Sequence, residues 1–271
     1  MQINAGFIGG GNMAASLIGG LIPDTVPASN IIVAEPRDER RNELIDLFGV
    51  QVTADNNIVC QNADVIVLAV KPQLMSDVVQ QLEGYQDQTL FISIAAGISI
   101  ESLQAWLGTH NPVVRVMPNT PALVGYGASA LYASASVNNE QKEIAESMLN
   151  AVGISTWVNR ESDLDIVTAL SGSGPAYFML FIKALVDKAI QAGLSEAVAN
   201  ELAMQTAIGA ATLAKLSDDD LTTLIQKVTS PGGTTAKAME VLNNREVPEI
   251  IAEAFDAAQK RSEAMAEEFS H

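Results

Sequence analysis

Cysteine, histidine and basic residues are all scarce in this chain, and each shortage removes a class of chemistry. A single cysteine, Cys60, permits no intramolecular disulfide and fits a reducing compartment, so a cytoplasmic protein is expected. The two histidines are His110, in a loop between elements, and His271 at the very end, and neither is placed like an acid–base residue. No His, Cys and carboxylate cluster with metal-ligand spacing occurs, and no nucleophile elbow is visible, so no metal is expected. Fifteen Lys and Arg against thirty-two Asp and Glu leave a net charge of −17, which repels nucleic acid and anionic membranes. An anionic ligand must then be held by local donors. Long hydrophobic runs are missing as well. The longest uncharged stretch, 116–139, is broken by prolines, glycines and asparagines and does not read as a membrane span. Met1 leads straight into a strand pattern without the basic flank of a signal peptide.

What is present is enough apolar material for two cores: 48% of 271 residues are hydrophobic. Short β-branched runs at 3–8, 31–34, 65–70, 90–94 and 112–116 alternate with helical patterns, the signature of a doubly wound parallel sheet. Runs at 128–132 and 155–158 read as further edge strands, separated by a helix over 140–152. Past about residue 161 the strand signal stops, and helices are expected over 161–170, 175–192, 195–216, 221–228, 234–243 and 248–269. The expectation is an α/β chain with a Rossmann-type domain over 1–160 and an all-α domain over 161–271. The helix over 195–216 is rich in alanine, and so small-sided a helix packs closely against others.

Seven stretches carry the chemistry. FIGGGNMA follows a strand, opens a helix and fits the dinucleotide fingerprint: Gly9 for the turn, Gly11 for approach of a pyrophosphate, Ala14 for helix–strand contact. The next strand ends in AEPRDERR, and two arrangements are open there. Glu35 can accept from a ribose diol, as in NAD sites, or Arg37, Arg40 and Arg41 can clamp a 2′-phosphate, as in NADP sites. AVKP, SIAAG and RVMPNTP each leave a strand at its carboxyl end, where ligands of open α/β sheets lie. SGSGPAY opens the long helix of the second domain, with Ser173 as a candidate cap and Pro175 in its first turn. Finally TSPGGTT runs into a helix whose start offers hydroxyls and free N–H groups to an anion.

A hydride-transferring enzyme acting on a carbonyl commonly needs a His, Lys or Tyr to move a proton. A protonated imine already carries its proton, so threonines and backbone donors suffice for C=N reduction. In this order FIGGGNMA, AVKP, SIAAG, RVMPNTPA, LSGSGPAY and TSPGGTT resemble pyrroline-5-carboxylate reductase across essentially the whole chain. The resemblance implies an N-terminal Rossmann domain, an all-helical C-terminal dimerisation domain and an active site between domains across the dimer. It implies reduction of L-1-pyrroline-5-carboxylate to L-proline with NADPH, NADH being the alternative donor, in a homodimer able to form a larger ring of dimers. Carried over by motif, the dinucleotide contacts are Ile8, Gly9, Gly10, Gly11, Asn12, Met13, Asn56, Ala69, Val70, Lys71, Pro72, Ala95, Ala96 and Gly97, to which Glu35 and Arg37 are added. The substrate contacts are Asn119, Thr168, Ser230, Gly233, Thr234 and Thr235, with Thr235 nearest the ring nitrogen and catalytic. The anion at TSPGGTT is then the carboxylate of the substrate. A β-hydroxyacid dehydrogenase shares the two-domain plan but needs a lysine one helical turn after the Gly-rich start. Phe178 stands there, and Lys183 comes too late. A dinucleotide-sensing protein without turnover is the third alternative.

Overall fold

The computed structural model describes residues 3–108 and 111–269, so His110 and His271 lie outside the described residues. Its centre is an eight-stranded sheet in the order β3-β2-β1-β4-β5-β6-β7-β8. In chain order the strands are β1 (Ala5–Ile8), β2 (Ile31–Ala34), β3 (Gln51–Thr53), β4 (Val65–Leu68), β5 (Leu90–Ser93), β6 (Val113–Met117), β7 (Gly127–Ala133) and β8 (Gly153–Trp157). All pairings are parallel except β6 with β7.

The inner strands read AGFI, VIVL and LFIS and are buried at every position, as expected where helices cover both faces of a parallel sheet. Because side chains alternate, each strand feeds two cores. Phe7, Val65 and Val67 join Leu17, Ile18 and Leu21 on one face. Ile8, Ile66 and Leu68 join Met75, Phe91 and Leu103 on the other. The covering helices are α1 (Asn12–Asp24), α2 (Asp38–Phe48), α3 (Asn56–Asn62), α4 (Pro72–Val79), α5 (Ile100–Leu107) and α6 (Asn139–Asn150).

One expectation about strands needs correcting, and one strand went unread. β7 is not an edge, since it pairs with β6 on one side and β8 on the other. Only β8 is an outer strand of that pair, and its burial alternates accordingly. β3, an outer strand of three residues, has too few positions to announce itself by alternation.

After the sheet come α7 (Asp163–Val167), a π-helical turn over Thr168–Gly172, α8 (Gly174–Gln191), α9 (Glu196–Leu216), α10 (Leu221–Lys227), α11 (Thr234–Asn244) and α12 (Val247–Glu268). Contacts divide the chain into two compact units, one made of residues up to Ser173 with those from Ala257 onward, the other Gly174–Asp256. The first unit therefore continues past residue 160, where the strands stop. The reason is an anchor of buried polar groups: Arg115 on β6 pairs with Glu161 at 2.9 Å, and Asp165 on α7 accepts from Ser262 of α12 at 2.7 Å.

Ser173 does not cap a helix. Its backbone is αR, and α7, the π turn and α8 form one run over Asp163–Gln191. That run is long and apolar enough to cross a membrane by length and composition. In the second unit α8 packs on α9, yet Phe178, Met179 and Leu180 of α8 and Leu202, Ile208 and Leu213 of α9 are exposed.

Candidate active site

The carboxyl ends of the parallel strands share one edge of the sheet, and β1 and β4 meet there at the point where the strand order reverses. The turn leaving β1 is shaped by its neighbours. Gly9 has φ +99°, and a Cβ on it would lie 2.7 Å from the Ala69 carbonyl oxygen, so only glycine fits. Its N–H donates to the Ala34 carbonyl at 2.8 Å, and the Ala69 N–H donates to the Ile8 carbonyl at 2.8 Å. Gly11 is the N-cap of α1 and differs in kind: its φ is an ordinary −66°, and a Cβ there would meet nothing within 4 Å. No side chain caps α1, so the first N–H groups of Asn12 and Met13 have no intrahelical partner. An open space beside an uncapped helix start fits a pyrophosphate.

Glu35 faces this turn from the end of β2. It is buried; one carboxylate oxygen accepts from Gly10 N–H at 3.1 Å, and the other from Arg37 Nε at 2.8 Å and Arg37 N–H at 3.2 Å. Burial alone raises its pKa, but the hydrogen bonds from Arg37 and Gly10 and the Arg37 charge outweigh it, and the net direction is down. Of the three arginines, only Arg37 keeps an exposed side chain. Arg40 donates to the Gly10 carbonyl at 2.6 Å and the Gly11 carbonyl at 3.4 Å, and Arg41 donates to the Glu35 carbonyl at 2.6 Å. Those two hold the turn together; sequence alone does not distinguish them from phosphate clamps.

The remaining dinucleotide candidates lie around the same edge. Ile8 and Ala95 are buried core residues, so their backbones are what a ligand meets. Lys71 is exposed at the N-cap of α4, with Pro72 in its first turn. Asn56 opens α3, half-buried. Gly97, at φ +75°, has a local structural cause: a Cβ there would come within 2.9 Å of Met265 Cβ and 3.3 Å of Phe269. The last turns of α12 thus lie on the SIAAG loop. Nothing near position 97 in the sequence predicts that contact.

The substrate candidates form two groups, one in each unit. In the first unit Thr168 begins the π turn and donates its hydroxyl to the Leu164 carbonyl at 2.8 Å, keeping its acceptor capacity. Asn119 is buried, and its amide is committed to the chain, donating to Ser171 O at 3.0 Å and accepting from Ala128 N–H at 2.9 Å. In the second unit Gly233 is the N-cap of α11, again with no capping side chain, after Gly232 at φ +71°. A Cβ at Gly233 would meet Ser230 Oγ at 2.5 Å, so the hydroxyl sits directly against the helix start. Thr234 and Thr235 follow in the first turn, and neither hydroxyl has a hydrogen-bond partner among the described residues. Cys60, buried with its thiol pushed up to about 11 by burial and by Asp55, stays a neutral thiol. Among the described residues no three His, Cys, Asp or Glu side chains gather to hold a metal ion.

Known proteins agree with this layout. Residues 161–265 match the family model for pyrroline-5-carboxylate reductase dimerisation, and residues 4–97 match that for NADP oxidoreductase, coenzyme F420-dependent. The pyrroline-5-carboxylate reductase of Pseudomonas aeruginosa is 47% identical over 263 residues, covering 97% of this chain and 96% of that protein. That of Pisum sativum is 39% identical, covering 95% and 94%. Among solved structures, a pyrroline-5-carboxylate reductase from Coxiella burnetii superposes with a TM-score of 0.91 at 39% identity, covering 98% of this chain and 99% of that one. The Plasmodium falciparum pyrroline carboxylate reductase, solved with NADP bound, gives 0.89 at 33% identity and 98% coverage of both. Identity at this level over nearly the whole chain places the chain in the pyrroline-5-carboxylate reductase family.

Proposed function

We propose that this chain reduces L-1-pyrroline-5-carboxylate to L-proline with NADPH, the last step of proline biosynthesis, as a cytoplasmic homodimer. The observation that supports it most is the pair of uncapped helix starts, one per unit, each beside a glycine turn: α1 for the dinucleotide and α11 for the substrate carboxylate. Residues 1–160 serve the dinucleotide, and 161–271 serve dimerisation and the substrate, in line with the dimerisation model over 161–265. When bound, the dihydronicotinamide supplies a hydride to the carbon of the C=N bond. The chain's own part is orientation and charge. Ser230, Gly233 and Thr234 hold the carboxylate with hydroxyls and N–H groups, and Thr235 hydrogen-bonds the ring nitrogen. Thr168 lends its acceptor to the substrate from the π turn. The nitrogen carries its proton into the reaction, so no histidine is required.

Oxidation of NADPH and of NADH by pyrroline-5-carboxylate, followed at 340 nm in parallel, tests the reading; failure of both with folded dimer would sink it. Glu35 sets the balance between them. Both of its oxygens are engaged, and removing the carboxylate frees the Arg37 guanidinium and the Gly10 N–H for a 2′-phosphate while deleting a like charge. Glu35→Ser is therefore expected to raise the kcat/KM ratio of NADPH to NADH about tenfold, or roughly 1.4 kcal/mol. A shift toward NADH would show that the carboxylate does not face the ribose.

The exposed apolar residues of α8 and α9 are the surface that a second copy covers. Twofold assembly is the default for such a face, and it accounts for the apolarity of Asp163–Gln191 without a membrane. A dimer is expected by light scattering at micromolar concentration, with a ring of dimers as the larger form. A fully active monomer would overturn this.

A further inference from the structure

We propose that Asn119 is a positioning residue that fixes the π-helical turn carrying Thr168, supplying the hydrogen bond that Pro175 removes. In an α-helix the carbonyl of residue i accepts from the N–H of residue i+4. For Ser171 that residue is Pro175, which has no N–H. The chain widens there instead: the Ser173 N–H reaches back five residues to the Thr168 carbonyl at 2.8 Å, closing the π turn Thr168–Gly172. The Ser171 carbonyl is left over, and Asn119 Nδ2 donates to it at 3.0 Å.

The other half of the same amide accepts from the Ala128 N–H at 2.9 Å, where β7 begins. Only one orientation of the amide satisfies both partners, and the demand is specific to asparagine. Aspartate would set an acceptor against a carbonyl, and an apolar residue would leave both groups unpaired. With Asn119 8% exposed, water is a poor substitute. A second contact joins the same segments. Gly172 lies against Met117, two residues before Asn119, so closely that a Cβ on it would come within 2.4 Å of Met117 Cε. The end of β6 and the π turn are thus one locked piece. The consequence for substrate rests on the assignment of Thr168 to the substrate; the lock itself does not.

The test compares Asn119→Asp and Asn119→Ala with the parent protein. In the ligand-free chain, amide exchange at Ser173 is expected to accelerate at least tenfold in both variants, while Ala128 stays protected in the Asp variant, which keeps its acceptor. Under turnover, KM for pyrroline-5-carboxylate is expected to rise about tenfold, with KM for NADPH within twofold. Adding Pro175→Ala to Asn119→Ala returns an N–H to position 175 and is expected to recover most of both losses. Parent-like exchange at Ser173 in the single variants would overturn the proposal; accelerated exchange with an unchanged substrate KM would uphold the lock and overturn its role in positioning the substrate. A double variant no better than Asn119→Ala alone would overturn the proposal, and it decides the matter if Asn119→Asp fails to fold. Because the exchange arm needs no ligand, a parent protein that fails to reduce the pyrroline would defeat the reductase assignment and leave the Asn119 lock to be judged on exchange alone.

Discussion

Thr235→Val is expected to lower kcat at least tenfold while leaving stability and the NADPH Kd nearly unchanged. The substitution keeps the β-branched shape and removes only the hydroxyl. A hydroxyl in a first helical turn commonly earns its place as a cap, and losing a cap costs about 1 kcal/mol. That explanation does not apply here. The N-cap of α11 is Gly233, no side chain caps the helix, and the Thr235 hydroxyl bonds nothing among the described residues. Its loss should therefore change stability by no more than about 0.5 kcal/mol, typical of a half-exposed site. A group that orients the imine as negative charge arrives at its carbon acts in the transition state, and one such hydrogen bond is worth about 1.4 kcal/mol or more. Steady-state kinetics with saturating NADPH, beside a thermal melt, separate the cases. Unchanged kcat with a lower Tm would reduce Thr235 to a local structural role.

The sequence made the sheet legible because its inner strands are buried on both faces, so IIVA, VIVL and LFIS stand out as apolar runs. It hid β3 because QVT is short and half-polar. The helices after residue 161 were visible to within a few residues, apart from the join before α8. There, GSGP has the composition of a helix start and α8 does begin at Gly174, but no break precedes it: the π turn Thr168–Gly172 joins it to α7. The clue was present in Pro175, whose missing N–H forces the preceding carbonyl to look elsewhere. Where that carbonyl goes depends on Asn119, 52 residues earlier, and no local pattern carries such a pairing.

The candidate site divides along the same line. The glycine turn and the start of α11 are local motifs, and their geometry follows from a few adjacent residues. The direction of Glu35, the use of Arg40 as a backbone clamp, and the cover of Gly97 by α12 are long-range facts. Gly97 shows the difference well. Its motif suggests a ligand, while its neighbours supply a sufficient structural reason for glycine, namely a positive φ under a passing helix. A glycine in a binding motif thus has two separable demands on it, one from the fold and one from the ligand.

Gly9 and Gly11 separate those demands, and opposite results are expected from the same substitution two residues apart. Gly9→Ala places a side chain at φ +99° with its Cβ 2.7 Å from the Ala69 carbonyl oxygen, backbone that cannot swing aside. Strain of this kind costs about 3 kcal/mol or more, which for a domain this size is a fall in Tm of roughly 6–12 °C. NADPH binding weakens as a consequence, because the β1–β4 junction moves. Gly11→Ala meets nothing within 4 Å and sits at φ −66°, so the ligand-free protein should melt within about 1 °C of the parent. The methyl group instead occupies the space through which a pyrophosphate approaches the N–H groups of α1, and the NADPH Kd should rise at least tenfold. Nicotinamide fluorescence titration beside a melt of each variant reads both quantities. If Gly11→Ala bound NADPH normally, the open space beside α1 would not be where the pyrophosphate lies, and the dinucleotide would have to be placed elsewhere along the strand ends. If Gly9→Ala melted like the parent, the contact with Ala69 would not constrain the turn, and only the ligand would require glycine at that position.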